Sequence, residues 1–118
     1  IDWTWPAQDI VNLVRAQSDP YPNAFAFHAG ERLRIQRASV SRNRCGGTAG
    51  RIFAREGDGV VIVCGPQSHR GANHGVVLER VRTDDDRELS AGEHFERMGG
   101  YLTSHPEAAV VGGAVRSP

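Results

Sequence analysis

The sequence predicts a mainly β domain: a small Greek-key barrel with an N-terminal helix and a short C-terminal helix. Three observations lead there. Short apolar runs alternate with glycine-rich turns from Ala24 to Arg82. The longest run changes inward face partway along, which requires a β-bulge. One run, Val60-Val61-Ile62-Val63-Cys64, is apolar on both faces and so belongs in the middle of a sheet. These patterns fit an OB-like barrel, and they do not separate it from an SH3-like one.

The first element is a helix ending near Gln17. Ala7, Ile10, Leu13 and Val14 recur at three- and four-residue spacing, and Val11 widens the face. Thr4 is the expected N-cap, with Pro6 in the first turn, where its missing N–H costs nothing. Asp9 and Arg15 sit at the ends that the helix dipole favours. Asp19-Pro20-Tyr21-Pro22 cannot continue the helix.

The period then switches to two. Ala24 to His28 reads as a strand with Phe25 and Phe27 on one side, and Ala29-Gly30-Glu31 as a tight connection. Arg32 to Val40 follows, with Leu33 and Ile35 inward. Strict alternation would bury Arg37, whereas Ala38 and Val40 are the better inward residues. A bulge near Gln36 and Arg37 resolves the conflict. Ser41 to Gly47 reads as a polar loop. Gly50–Arg55 and Val60–Cys64 form a hairpin around Glu56-Gly57-Asp58-Gly59, whose glycines suit positive φ. Gly65 to Gly75 is a loop and Val76 to Arg82 a strand. Thr83 to Arg87 is an acidic turn. Ser90 and Glu93 make a capping box for a helix carrying Phe95 and Met98 and stopping at Gly99-Gly100. Tyr101-Leu102 is expected to pack back on the core. Residues 103–118 lack periodicity and read as a flexible tail, leaving 1–102 as the domain.

The 118 residues suit one domain. Formal net charge is zero and all fourteen basic residues are arginine. The chain as a whole is therefore not an electrostatic binder of nucleic acid or membrane, and it offers no lysine for Schiff-base chemistry. Two cysteines, no leader-like start and no long apolar run suggest a cytoplasmic protein without membrane contact. The start without methionine suggests a fragment of a longer chain.

Candidate chemistry is sparse. There is no Gly-x-Ser-x-Gly and no phosphate loop. Cys64 ends an apolar strand and reads as a small buried hydrophobe. Cys45 sits among arginines that could favour its thiolate, although a thiol without a role is the simpler reading. Cys45, Cys64, His69 and His74 are zinc-ligand types without zinc-knuckle spacing. Asp84, Asp85 and Asp86 read as solvated rather than as an opposed acid–base pair. The stronger signal is an arginine-rich stretch. Arg32, Arg34, Arg42, Arg44 and Arg51 are the candidate acceptor- or anion-binding residues, with Arg37 and Arg55 among them in sequence. The competing reading is a set of outward strand positions paired with the acids from Asp84 to Glu96.

Several segments resemble the C-terminal domain of the methionyl-tRNA formyltransferase-like family. Ile1-Asp2-Trp3, Pro6-Ala7 and Asn12-Leu13-Val14-Arg15-Ala16 resemble its opening helix. Asp19-Pro20-Tyr21-Pro22-Asn23-Ala24-Phe25 is similar to its Asp-Pro-aromatic-Pro-Gly-Ala-Phe turn, with Asn23 where Gly is usual. Asn tolerates the same left-handed backbone. Gly30–Val40, Gly50–Gly65 and the segment from Leu89-Ser90-Ala91-Gly92 resemble the following hairpins and the closing segment. The resemblance spans residues 1–102. The loop at 66–73 is longer than the family leads one to expect.

The resemblance implies an OB-like barrel without catalytic residues or a cofactor of its own. It implies a preceding Rossmann-like domain that holds 10-formyltetrahydrofolate and an Asn-x-His…Asp set, which formylates an amine. The acceptor could be an amino sugar, a hydroxyornithine-like amine or an aminoacyl group. Asn73-His74 does not match that set. Two alternatives stand beside an accessory formyltransferase domain: a tRNA-binding module and a free-standing interaction domain.

Overall fold

The structure, a computed structural model, describes residues 1–65 and 73–105. Helix α1 (Ala7–Ala16) leads into strands β1 (Ala24–His28), β2 (Glu31–Cys45), β3 (Ile52–Glu56), β4 (Gly59–Ile62), β5 (Asn73–Arg82) and β6 (Glu88–Ser90). One helical turn, α2 (Ala91–His94), and β7 (Leu102–Thr103) complete it. The expected mainly β class is what the structure shows.

All pairings are antiparallel and run β3-β4-β5-β2-β1-β7, with β6 beside β5. β3, β4 and β5 are consecutive, and β2 returns to lie beside β5, which is Greek-key order. The segment before β7 joins the two ends of this path. Leu102 N–H donates to Gly50 O at 2.8 Å, Ile52 N–H to Gly100 O at 2.8 Å and Gly99 N–H to Ile52 O at 2.7 Å. Arg51 bridges to Tyr101, while β7 pairs with β1. The sheet is thereby closed into a barrel, and its two outermost strands have partners.

The core fills the barrel. Ile35, Ile52, Val60, Ile62, Val76, Leu78 and Val81 are fully buried, joined by Ile10 and Val14 of α1 and by Phe95 and Leu102. β4 is buried at every position and lies between β3 and β5, as its apolar run predicts. A second cluster joins Val61 of β4 and Val77 of β5 to Val63, just past β4, and Cys45 at the end of β2. Both faces of this part of the sheet are therefore shielded.

Helix α1 lays Ala7, Ile10, Val11 and Val14 against β2 and β5 and ends at Gln17. Its N-cap is Pro6, not Thr4, and no side chain caps it. The Thr4 hydroxyl is instead held by Asp2, donating to Oδ1 at 2.6 Å. Phe25 and Phe27 share one side as expected, and it is the outer side; Ala24 and Ala26 point inward.

The bulge in β2 is present, with register shifts from Ile35 to Arg37 and from Arg37 to Ala38. Val40 is nevertheless exposed at 37%. A second irregularity between Val40 and Arg44 turns Ser41 inward, where its hydroxyl donates to Glu56 Oε1 at 2.7 Å. The expected polar loop at Ser41–Gly47 is strand as far as Cys45, because β5 begins at Asn73, early enough to pair with it. The β3–β4 turn is tight, with Gly57 alone at positive φ; Gly59 is not. β6 was not anticipated.

The capping box of Ser90 and Glu93 forms. The helix it starts stops at His94, with Phe95 as an extended C-cap, so Phe95 and Met98 follow the helix rather than ride on it. Three backbone carbonyls at this end accept from the Arg55 guanidinium: Gly92 O at 2.7 Å, Phe95 O at 2.8 Å and Glu96 O at 3.1 Å. That clamp fixes the short turn against the hairpin. Leu102 packs inward and β7 includes Thr103. The remainder of the expected tail, residues 106–118, lies outside the described residues, as do His69 and Arg70.

Candidate functional site

The face outside β1 and β2 is the candidate surface. Arg32 and Arg34 stand at alternate positions of β2, opposite Phe27 and Phe25 of β1. Phe25 and Phe27 meet edge to face at 5.8 Å. The turn after β5 supplies counterions: Arg32 Nε lies 3.3 Å from Asp84 and Arg34 3.7 Å from Asp86. Asp85 accepts from the Thr83 hydroxyl, which holds its carboxyl below the usual range.

The other expected arginines lie elsewhere. Arg42 lines a separate cleft with Arg37 and Arg80, and its own N–H is held by Glu56. Arg37 is paired with Glu79 at 3.0 Å. Arg44 pairs with His74 near the far end of β2. Arg51 sits at the closing seam, and Arg55 is occupied by the α2 carbonyls. Of the five candidates the structure therefore brings only Arg32 and Arg34 side by side. Strand alternation predicts that pair directly; the bulge and the second irregularity carry the later arginines away from it.

A cluster that sequence reasoning missed lies at the end of β1. His28, His94 and Phe95 pack edge to face, with ring centroids 5.0 Å (His28–Phe95), 4.7 Å (His94–Phe95) and 6.3 Å (His28–His94) apart. The two histidines border a recess of about 260 Å³ that Glu31, Arg32 and Arg87 also line. Burial pushes both imidazoles below their ordinary value, with nearby Glu31 partly opposing it. Both rings are therefore neutral near pH 7. The Thr83 hydroxyl in the same wall is committed to Asp85. Only the fold brings the two histidines together, since one ends a strand and the other ends a one-turn helix.

The thiols are unsuited to chemistry. Cys45 is a buried residue at the end of β2 rather than in a loop, and burial pushes its pKa up, the opposite of activation by neighbouring arginines. Cys64 is pushed up to about 12, chiefly by burial. No three His, Cys, Asp or Glu side chains among the described residues could hold a metal ion. His74 Nδ1 donates to Ser41 O at 2.9 Å. No helix among the described residues is long and apolar enough to cross a membrane.

Closure, sheet order and an outer face of alternating arginine and aromatic residues define a small Greek-key barrel module. Its sequence places it further. The profile described as formyl transferase, C-terminal domain, matches residues 1–99, and the chain belongs to that family. Among curated relatives, methionyl-tRNA formyltransferase of Geotalea uraniireducens is 31% identical over 93 residues, 79% of this chain and 26% of the relative. Its counterpart in Pseudomonas putida strain F1 is 35% identical over 95 residues, 80% of this chain and 27% of the relative. The enzyme of that name from Marinobacter nauticus is 40% identical over 65 residues, 55% of this chain and 21% of the relative. The chain thus spans about a quarter of the length of the relatives it matches.

Proposed function

We propose that this chain is the non-catalytic C-terminal domain, residues 1–102, of an enzyme that moves a formyl group from 10-formyltetrahydrofolate to an amine. The match over residues 1–99 carries this reading. The folate and the catalytic side chains belong to a preceding Rossmann-like domain of the same cytoplasmic polypeptide. The barrel braces that domain and presents Arg32 and Arg34 toward an anionic acceptor, while Arg42, Arg44 and Arg51 lie on other faces. The acceptor is an amino sugar, a hydroxyornithine-like amine or an aminoacyl group. The test is formyl transfer by the product of the complete reading frame, with each acceptor offered in turn. Transfer to none of them would sink the reading.

A second reading is favoured by the relatives' shared name: a module that holds tRNA for a methionyl-tRNA formyltransferase. Zero net charge weighs against it, since nucleic-acid modules are usually strongly basic. Under this reading tRNA affinity falls steeply with salt and weakens on Arg32→Ala or Arg44→Ala. No tRNA binding at low salt would remove it.

A further inference from the structure

The seam that closes the barrel carries an uncovered outer face. Arg51 and Tyr101 bridge across it, so their side chains share one side, while Ile52 is buried on the other. Alternation returns Phe53 to the outside with Arg51. Phe53 is 43% exposed and Tyr101 46%. The closing segment gives the rings no cover, since Gly99 and Gly100, which hydrogen-bond to Ile52, have no side chains. The Arg51 guanidinium reaches over Gly99, where an added Cβ would stand 4.0 Å from Nη2. Arg51 forms no ion pair among the described residues, whereas Arg32, Arg34 and Arg37 each have a carboxylate within 3.7 Å. Open Phe and Tyr rings around an uncompensated guanidinium are the composition found at the centre of protein interfaces.

The place where the chain enters the barrel decides what covers this face. The N–H of Ile1 donates to Phe25 O at 3.0 Å, and the Ser104 hydroxyl donates to Ile1 O. Ile1 is thereby pinned beside β7. Ser104 is three residues beyond Tyr101, a reach of at most about 11 Å. The chain spans about a quarter of the length of its relatives. A preceding domain of about 200 residues is about 40 Å across, so one hung from Ile1 overlies a face bordering β7. Two faces border it. On the β1–β2 side the arginines already have counterions in Asp84 and Asp86. On the seam side the guanidinium lacks a carboxylate and both rings stand open.

We propose that the Arg51–Phe53–Tyr101 face is the docking surface for the domain that precedes Ile1 in the complete polypeptide. The docked surface presents a carboxylate or carbonyl oxygens to Arg51 and apolar side chains to the two rings. This rests on the reading of the chain as the C-terminal part of a longer enzyme. Docking there leaves the face bearing Arg32 and Arg34 open to an acceptor.

Hydroxyl-radical footprinting of the complete polypeptide, read residue by residue by mass spectrometry, tests it. Each rate is referred to the same residue's rate in urea. Tyr101 and Phe53 are expected to slow about tenfold on folding, as at an interface centre that excludes water, where half-exposed rings left open would slow only about twofold. Arg51→Glu and Phe53→Thr, both at exposed positions, should each return Tyr101 to within about threefold of its urea rate, with the far-ultraviolet circular dichroism unchanged. The proposal is overturned if both rings slow no more than their open exposure requires, or if neither variant releases Tyr101. It also fails if the protection fades on dilution, which assigns the face to a second copy, or appears only with added tRNA. Formyl transfer is read on the same sample. Transfer with both rings unprotected sinks the docking surface alone, and protection without transfer sinks the formyltransferase reading alone.

Discussion

Replacing Gly50 by alanine should open the barrel. Gly50 has φ of +95° and lies where the segment before β7 meets the chain entering β3. An added Cβ would stand 2.4 Å from the Leu102 carbonyl oxygen, and backbone on both sides leaves no flexible end to yield. Forcing an L-residue into that backbone region costs about 1–2 kcal/mol. Moving Leu102 aside breaks its N–H bond to Gly50 O and loosens the neighbouring bonds of Ile52 and Gly99, at about 1 kcal/mol each. The sum is about 3 kcal/mol or more, a fall in melting temperature of about 10–20 °C for a domain of this size. Circular dichroism melts read it. Gly57→Ala is the control: φ is +60° but nothing lies within 4 Å of the new Cβ, so only the backbone term of about 1 kcal/mol applies. If Gly50→Ala melts within about 3 °C of the parent, or no lower than Gly57→Ala, the seam does not close the barrel.

The remaining predictions concern the α2 clamp, the histidines and the thiols. Arg55→Met leaves three carbonyls without their donor and should lower stability by about 2 kcal/mol in urea denaturation, with Arg55→Lys recovering part of it. His28 and His94 have folded pKa values below the ordinary 6.5. Their contribution is therefore full above pH 6.5 and declines as pH falls below it, where the unfolded chain takes up protons that the folded chain refuses. The urea midpoint should drop between pH 7.5 and 5.5, and the drop should shrink in a His28→Phe, His94→Phe double variant; an equal drop would assign it to other groups. Cys64, pushed up to about 12, should resist a thiol reagent at pH 8 in the folded chain and react promptly in urea.

Legibility in the sequence followed periodicity. The α1 face, the apolar run of β4 and the first bulge of β2 could be read because each breaks or keeps a simple period in one continuous segment. Val40 misled because, although it stays in register opposite the buried Val76, it is the last residue before a second irregularity and is left partly exposed there. The last helix was drawn too long because Phe95 and Met98 fit a helical spacing, yet both serve the core and the seam from extended chain. The side-by-side placement of Arg32 and Arg34 was legible from strand alternation. The His28–His94–Phe95 cluster was not, since it depends on contacts between segments far apart in the chain. The Asn at the turn was visible as a departure from the family's glycine, but its burial was not.

The most direct test of the central claim is formyl transfer from 10-formyltetrahydrofolate by the complete polypeptide that carries this domain, measured with and without residues 1–102. The account predicts transfer to an amine acceptor by the complete enzyme, with a raised KM for the acceptor when the barrel is removed and a folded catalytic domain left behind. Folate-dependent transfer that is absent from the complete polypeptide, or unchanged in KM and kcat without the barrel, would contradict it.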